Sequence, residues 1–281
     1  MARSVAVWWK PSSPALAPVE AARIQSELSA TAVIIYCGLA IGANGSLVLD
    51  PPTHEPAWGH WENCDAAVAA ASTQGLGVQL IVEGRMSESG PVSAAVARGG
   101  GAFGAELIAR LQLLSNRRHV TGLNLDIEQD SHTNLTQVAF DNFTAALADE
   151  VGRSELQLTA CVGYAPTERD FARSRRVGRI AKLYAMNLYH ATSALEWRSK
   201  LFATLNASGP SPTDAVVAGF SLTPKYGYEN TSTSVAERFA AAREAGVQHI
   251  ALFAYTARED SVGYHLPKAT LAAWSSELRK W

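Results

Sequence analysis

The stretch that decides the fold is Val120–Asp130, VTGLNLDIEQD. Leu123, Leu125 and Ile127 form one apolar row, and Gly122, Asn124, Asp126 and Glu128 form the other. Successive side chains of a strand point to opposite faces, so one face is apolar and the other ends in an amide and two carboxylates. Asp126 and Glu128 stand roughly 7 Å apart along such a strand, at about 3.3 Å rise per residue. Two carboxyls that close disfavour double ionisation, which keeps one protonated near neutral pH. A protonated acid beside a carboxylate is the equipment for cleaving an acetal. The plainer alternative is a strand that merely ends in acidic residues at the surface.

The rest of the chain supplies a frame for that strand. Apolar runs at Ser4–Trp9, Thr31–Cys37, Val78–Val82, Leu156–Tyr164, Ile180–His190, Ala215–Leu222 and His249–Tyr255 read as seven further strands. Continuous β-branched runs such as TAVIIYC mark strands covered on both sides, as in parallel sheets. Helical patterns fall between them: Ala17–Leu28, Cys64–Thr73, Phe103–Ser115, Asn134–Val151, Leu195–Leu205, Val235–Ala245 and Pro267–Leu278. Gly38–Gly59 reads as a loop with one short hairpin, Leu39–Ile41 against Ser46–Leu49. Arg85–Gly101 reads as a connection holding a short helix, and Phe171–Arg179 as a solvated run with four arginines. GGGAFG at Gly99–Gly104 matches a dinucleotide fingerprint in letters only, because no strand immediately precedes it.

Eight strands alternating with helices over 281 residues predict an α/β chain folded as a single (β/α)8 TIM barrel spanning residues 1–281. A doubly wound open sheet is the alternative. In a barrel the chemistry gathers at the C-terminal ends of the strands. Asp126 and Glu128 lie at such an end, as do Glu83, Tyr164, Tyr189 and Tyr255.

The formal net charge of −2 argues against nucleic acid or an anionic membrane as the main partner. No apolar run is long enough to span a bilayer. Of three cysteines, Cys37 and Cys161 lie in apolar strands and read as inert core residues; an odd count does not point to a disulfide framework. Val5–Trp9 already reads as a strand, so no leader is expected within this sequence. Five N-x-S/T sequons, at Asn44, Asn134, Asn142, Asn206 and Asn230, point to a secreted or lysosomal protein, with a cytoplasmic one as the alternative.

TGLNLDIE resembles the fourth-strand signature of glycoside hydrolase family 18, the chitinase family, written D-G-x-D-x-D-x-E. Asn124 and Gln129 make it most similar to the di-N-acetylchitobiase branch. The resemblance implies that Glu128 is the general acid and that Asp126 holds the substrate's acetamido group. Asn124 and Thr121 stand where the motif has aspartates. LYAMNLYH occupies the place of the sixth-strand M-x-Y-D. The register preferred here puts Asn187 and Tyr189 on the inward face; the other puts Met186, Leu188 and Tyr189 there. Gly219 falls at the seventh-strand glycine, and Phe253 at the tryptophan that floors the sugar pocket. Tyr36 and Tyr164, at strand ends, are candidates to line the pocket, and Trp8 and Trp9 read as one buried and one near the mouth.

The implied activity is hydrolysis of β-linked N-acetylglucosamine bonds, in chitin oligosaccharides or the chitobiose core of N-glycans. It proceeds with retention, the sugar's own acetamide serving as nucleophile. No metal and no cofactor are required. The expected partner is an N-acetylglucosamine-containing oligosaccharide bound by a monomer. One rival is a catalytically impaired, lectin-like barrel of the same family. A second is a cation-dependent hydrolase using Asp126, Glu128, Asp130 and His132.

Overall fold

In the computed structural model the chain forms a closed barrel of parallel strands ringed by helices. The structure describes residues 3–50, 60–84, 90–127, 135–163, 165–222, 231–255 and 268–281. In chain order the elements are β1 (Ser4–Trp9), α1 (Ala17–Leu28), β2 (Ala32–Ile35), β3 (Leu39–Ile41), β4 (Leu47–Leu49), α2 (Trp61–Thr73), β5 (Gly77–Gly84), α3 (Pro91–Arg98), α4 (Gly100–Leu111) and β6 (Val120–Ile127). There follow α5 (Gln137–Arg153), β7 (Gln157–Val162), α6 (Ala165–Arg176), β8 (Leu183–Ala185), α7 (Ala194–Ala207), α8 (Pro212–Ala215), β9 (Val216–Ser221), α9 (Ser232–Glu244), β10 (His249–Tyr255) and α10 (Lys268–Lys280).

The barrel strands run β2-β1-β10-β9-β8-β7-β6-β5, and the β2–β5 pairing closes the ring. Closure excludes the open doubly wound sheet. Helix starts follow the sequence: Thr136, Ser193 and Thr231 each accept a backbone N–H three residues on, at α5, α7 and α9. Within that discounted stretch Gly100 and Gly104 serve packing, while a Cβ on Gly99 or Gly101 would meet nothing within 4 Å. A Cβ on Gly100 would meet the Phe143 carbonyl at 1.9 Å, and one on Gly104 would meet Glu150 at 2.9 Å, so α4 lies close on α5.

Strand alternation sorts the core into two layers. Val5, Val7, Trp9, Val33, Ile35, Leu123 and Leu125 face the helices. Ala6, Trp8, Ile34, Tyr36, Ile81, Cys161, Tyr184, Tyr189 and Phe253 fill the barrel. Both tryptophans are fully buried, so burial does not distinguish them as expected. Trp8 points into the barrel, and Trp9 points out, where its Nε1 donates to Glu20 on α1 at 2.7 Å.

Three further expectations are corrected. The sixth barrel strand is only Leu183–Ala185, and Met186–His190 turns into a 3₁₀ helix. The arginine run is not simply a solvated face. Its first six residues, Phe171–Arg176, close α6, Arg173 pairs with Asp141 of α5 at 2.7 Å, and Arg176 donates to the Ala207 carbonyl at the end of α7 at 2.8 Å. Cys37 and Cys64 form a disulfide, joining the end of β2 to α2, while Cys161 keeps its thiol. β–α geometry brought the first two together, and strand pattern alone carries no signal for that.

At the N-terminal end of the barrel, His249 lies among residues from three other segments. Its Nδ1 is 2.6 Å from Ser4 Oγ, and its Nε2 is 2.7 Å from Lys182 Nζ and 2.9 Å from Asp214 Oδ1. This is the face where barrel residues serve stability rather than chemistry.

Candidate active site

β6 positions the first candidate residues as its alternation requires. A bulge at Thr121 takes up one register step between Val78 and Gln79 of β5, and Thr121 Oγ1 donates to the Val78 carbonyl at 2.8 Å. From there Gly122, Asn124 and Asp126 face the barrel interior, backed by Leu123, Leu125 and Ile127 against the helices. Asp126 is 7 % exposed, at the C-terminal end of the strand. Glu128, Tyr164, Asp130 and His132 lie outside the described residues.

Asn124 is fully buried and held on both ends of its amide. Its Nδ2 donates to Thr159 Oγ1 at 2.9 Å, and Cys161 Sγ donates to its Oδ1 at 3.0 Å. Thr159 Oγ1 donates in turn to Gln79 Oε1 at 2.8 Å, and Gln79 Nε2 donates to the Tyr184 hydroxyl at 3.3 Å. The ladder crosses β5, β6, β7 and β8 and contains no formal charge. It fixes the amide orientation and leaves no room for a second carboxylate under Asp126 without a lost hydrogen bond.

Register places Glu83 of β5 directly opposite Asp126 of β6. Both are buried, Glu83 at 4 % exposure. Neighbouring strands lie about 4.8 Å apart, so two carboxylates share one corner of the mouth. Tyr36, at the end of β2, is fully buried. Burial first, then the Asp126 and Glu83 charges, hold its phenol pKa well above the usual range. It therefore remains a hydrogen-bond donor throughout the working pH range.

Tyr189 and Phe253 meet in the same region. Their rings stack with centroids 5.3 Å apart, and Trp8 packs edge-on to both at 6.0 and 6.1 Å. Gly219 of β9 makes space for this pair: a Cβ there would meet the Ala185 carbonyl at 2.3 Å and Tyr189 Cε1 at 2.7 Å. The 3₁₀ turn explains how Tyr189 arrives. With three residues per turn, Met186 and Tyr189 share a face and pack on the barrel interior. Leu188 packs outward, and Asn187 donates to Thr204 Oγ1 of α7 at 3.2 Å. The preferred register is therefore right for Tyr189 and wrong for Asn187, which is not brought to the mouth, and the other is right for Met186 and Tyr189 and wrong for Leu188. Tyr255 is not either: it packs on the outer core, and burial pushes its pKa up to about 12, beside Arg23, Glu27 and Glu20 of α1.

Lys10 is the residue the motif reading missed. It follows Trp9, so continuing the β1 alternation of Ala6 and Trp8 points it inward. It is 1 % exposed, with Nζ 5.3 Å from the Tyr36 ring centre and 5.2 Å from that of Phe253. One more step of the pattern that identified Asp126 would have found it. Over the mouth, the β3–β4 hairpin runs beside β5, with Ala40 paired to Glu83. Its base is anchored on α2 twice: by the Cys37–Cys64 bond and by Asp50 Oδ1, which accepts the Trp61 N–H at 3.0 Å.

Solved structures share this architecture end to end. The fold is that of the family 18 glycoside hydrolases. The Ostrinia furnacalis Group IV chitinase superposes with a TM-score of 0.67 at 12% identity, covering 99% of this chain and 100% of that one. The Chromobacterium violaceum chitinase gives 0.65 at 14%, covering 99% of each. A fungal endo-β-N-acetylglucosaminidase of family 18 gives 0.63 at 17%, covering 98% and 95%. No family profile and no curated protein sequence matches the chain. At these identities the likeness is one of fold.

Proposed function

We propose that this chain is a family 18-type glycosidase that hydrolyses β-linked N-acetylglucosamine bonds with retention. The observation that carries the reading is Asp126. It is buried on the inward face at the C-terminal end of β6, above a fixed Asn124 and beside a stacked Tyr189–Phe253 pair, in a barrel of the family 18 fold.

Two opposed carboxylates about 5 Å apart serve most retaining glycosidases, one as acid and one as nucleophile. Here the sugar's acetamide oxygen attacks C1 instead, forming an oxazolinium ion and releasing the leaving group. Glu128, two residues beyond Asp126, protonates the leaving oxygen and then takes a proton from the incoming water. Asp126 accepts the acetamide N–H and stabilises the positive intermediate. Tyr189 donates to the acetamide oxygen, and Phe253 supplies the apolar floor. The scheme needs no metal or organic cofactor. It does need a 2-acetamido group on the sugar at the cleaved bond, which defines the substrate class. Chitinase and endo-β-N-acetylglucosaminidase are both named among the structural neighbours, so chitin fragments and N-glycan cores both belong in the assay.

An oxidising compartment, secreted or lysosomal, fits the Cys37–Cys64 bond, since disulfides persist there and are rare in the cytosol. The sequon asparagines Asn44, Asn142 and Asn206 are exposed, as glycan attachment requires.

The test is release of 4-methylumbelliferone from its N,N′-diacetylchitobioside by the wild type, Glu128→Gln and Asp126→Asn. Turnover that both variants lose supports the assignment. Binding of the sugar without turnover by the wild type selects the lectin-like reading. Turnover unchanged in both variants refutes the assignment of these residues.

A further inference from the structure

The mouth holds a cation that the substrate-assisted scheme does not use. Lys10 immediately follows β1, Tyr36 immediately follows β2, Glu83 belongs to β5 and Asp126 to β6, and these strands are consecutive neighbours in the barrel. The Lys10 ammonium lies within 5.3 Å of the Tyr36 ring centre, and the Tyr36 phenol responds to the charges of both Asp126 and Glu83. One arc of the mouth therefore carries an ammonium, a phenol and two carboxylates, with Lys10, Glu83 and Asp126 all at 7 % exposure or less.

Charge arithmetic decides what this arc can do. The reaction develops positive charge on the sugar. A lone ammonium in the cavity would oppose it, and two carboxylates without a cation would repel one another and resist joint ionisation. Neither problem arises if one carboxylate is matched. We infer that Lys10 is a positioning residue that neutralises Glu83, so that the mouth meets the developing cation with the single net charge of Asp126. The inference rests on the glycosidase reading above. It also accounts for a lysine buried beside two aromatic faces, where cation–π attraction holds the ammonium in place.

The experiment compares wild type, Lys10→Met, Lys10→Arg, Glu83→Gln and the Lys10→Met/Glu83→Gln double variant. Thermal melting is followed at pH 7 and pH 4, and kcat/KM against pH on the chitobioside. Lys10→Met is expected to melt several degrees low at pH 7. That deficit should shrink at pH 4, where carboxylates take up protons, and should be largely relieved by adding Glu83→Gln. Its acid limb of kcat/KM should move up by about one pH unit, as loss of a nearby opposite charge requires. Lys10→Arg should stay close to wild type in both. A deficit equal at both pH values, unrelieved in the double variant, with an unmoved profile, overturns the pairing. An inactive wild type overturns the glycosidase reading instead, and the melting comparison still decides whether Lys10 and Glu83 are paired.

Discussion

Reduction of the Cys37–Cys64 bond tests the fold and the mouth together. The bond joins positions 27 residues apart and closes the segment that carries the β3–β4 hairpin. Chain-entropy bookkeeping for that loop gives about 12 cal/mol/K, or roughly 3.5 kcal/mol at 25 °C. For a chain of this size each kcal/mol is worth about 2 °C, so the reduced protein should melt about 7 °C lower. Comparing oxidised with reduced wild type is cleaner than substitution, because side-chain volumes in the core do not change. Asp50 still caps α2 in the reduced form, so the hairpin stays tethered at one end only and KM should rise more than kcat falls. Scanning calorimetry with and without a phosphine reductant reads the first effect, and chitobioside kinetics the second. Thiol titration of unreduced, unfolded protein should find one reactive thiol, that of Cys161. Three thiols, or melting points within 1 °C after verified reduction, would refute the reasoning.

Other perturbations follow from single contacts. Gly219→Ala drives a methyl into the Ala185 carbonyl and the Tyr189 ring, so it should cut kcat at least tenfold while the fold, read by circular dichroism, survives. Asn124→Asp buries a charge in a neutral ladder; it should cost on the order of 3 kcal/mol, measured by denaturant unfolding. At the barrel floor, burial first, and Lys182 second, hold the His249 imidazole below its ordinary 6.5 despite Asp214. The unfolded chain then takes up that proton first, so stability should fall as pH drops below 6.5, by on the order of 1 kcal/mol per unit of depression, until the folded state also protonates. Melting curves from pH 7.5 to 4.5 should show this slope in the wild type and a flatter one in His249→Asn. Asp214 acts in a lower window: with the hydrogen bond from His249 as the main cause, its carboxyl is depressed, and its contribution is lost only as pH falls through the usual aspartate range and below.

What could be read in the sequence was whatever obeys a period. Val120–Ile127 keeps a strict two-residue alternation after its bulge, so the faces of Asn124 and Asp126 followed from spacing alone. The same rule failed at Ile180–His190, because only Leu183–Ala185 is extended and the rest winds with three residues per turn. Tyr189 reaches the interior by that winding, and Asn187 leaves it. Lys10 was legible in principle but was passed over at the edge of an apolar run. The Cys37–Cys64 bond and the Asn124–Thr159–Gln79–Tyr184 ladder depend on which strands become neighbours, and no local pattern encodes that.

The uncharged ladder, with Trp8, Ile34, Ile81 and Val217 around it, separates two charged ends of one barrel. Lys10, Glu83 and Asp126 sit above it, and Lys182, Asp214 and His249 below. It carries no formal charge, and on β10 four residues of strand, about 13 Å at roughly 3.3 Å per residue, part Phe253 at the mouth from His249 at the floor. Retuning the mouth for a more acidic or more neutral optimum should therefore leave the acid tolerance of the floor untouched, and the floor can be hardened without shifting the optimum. The barrel offers two independent dials for pH, one for rate and one for survival.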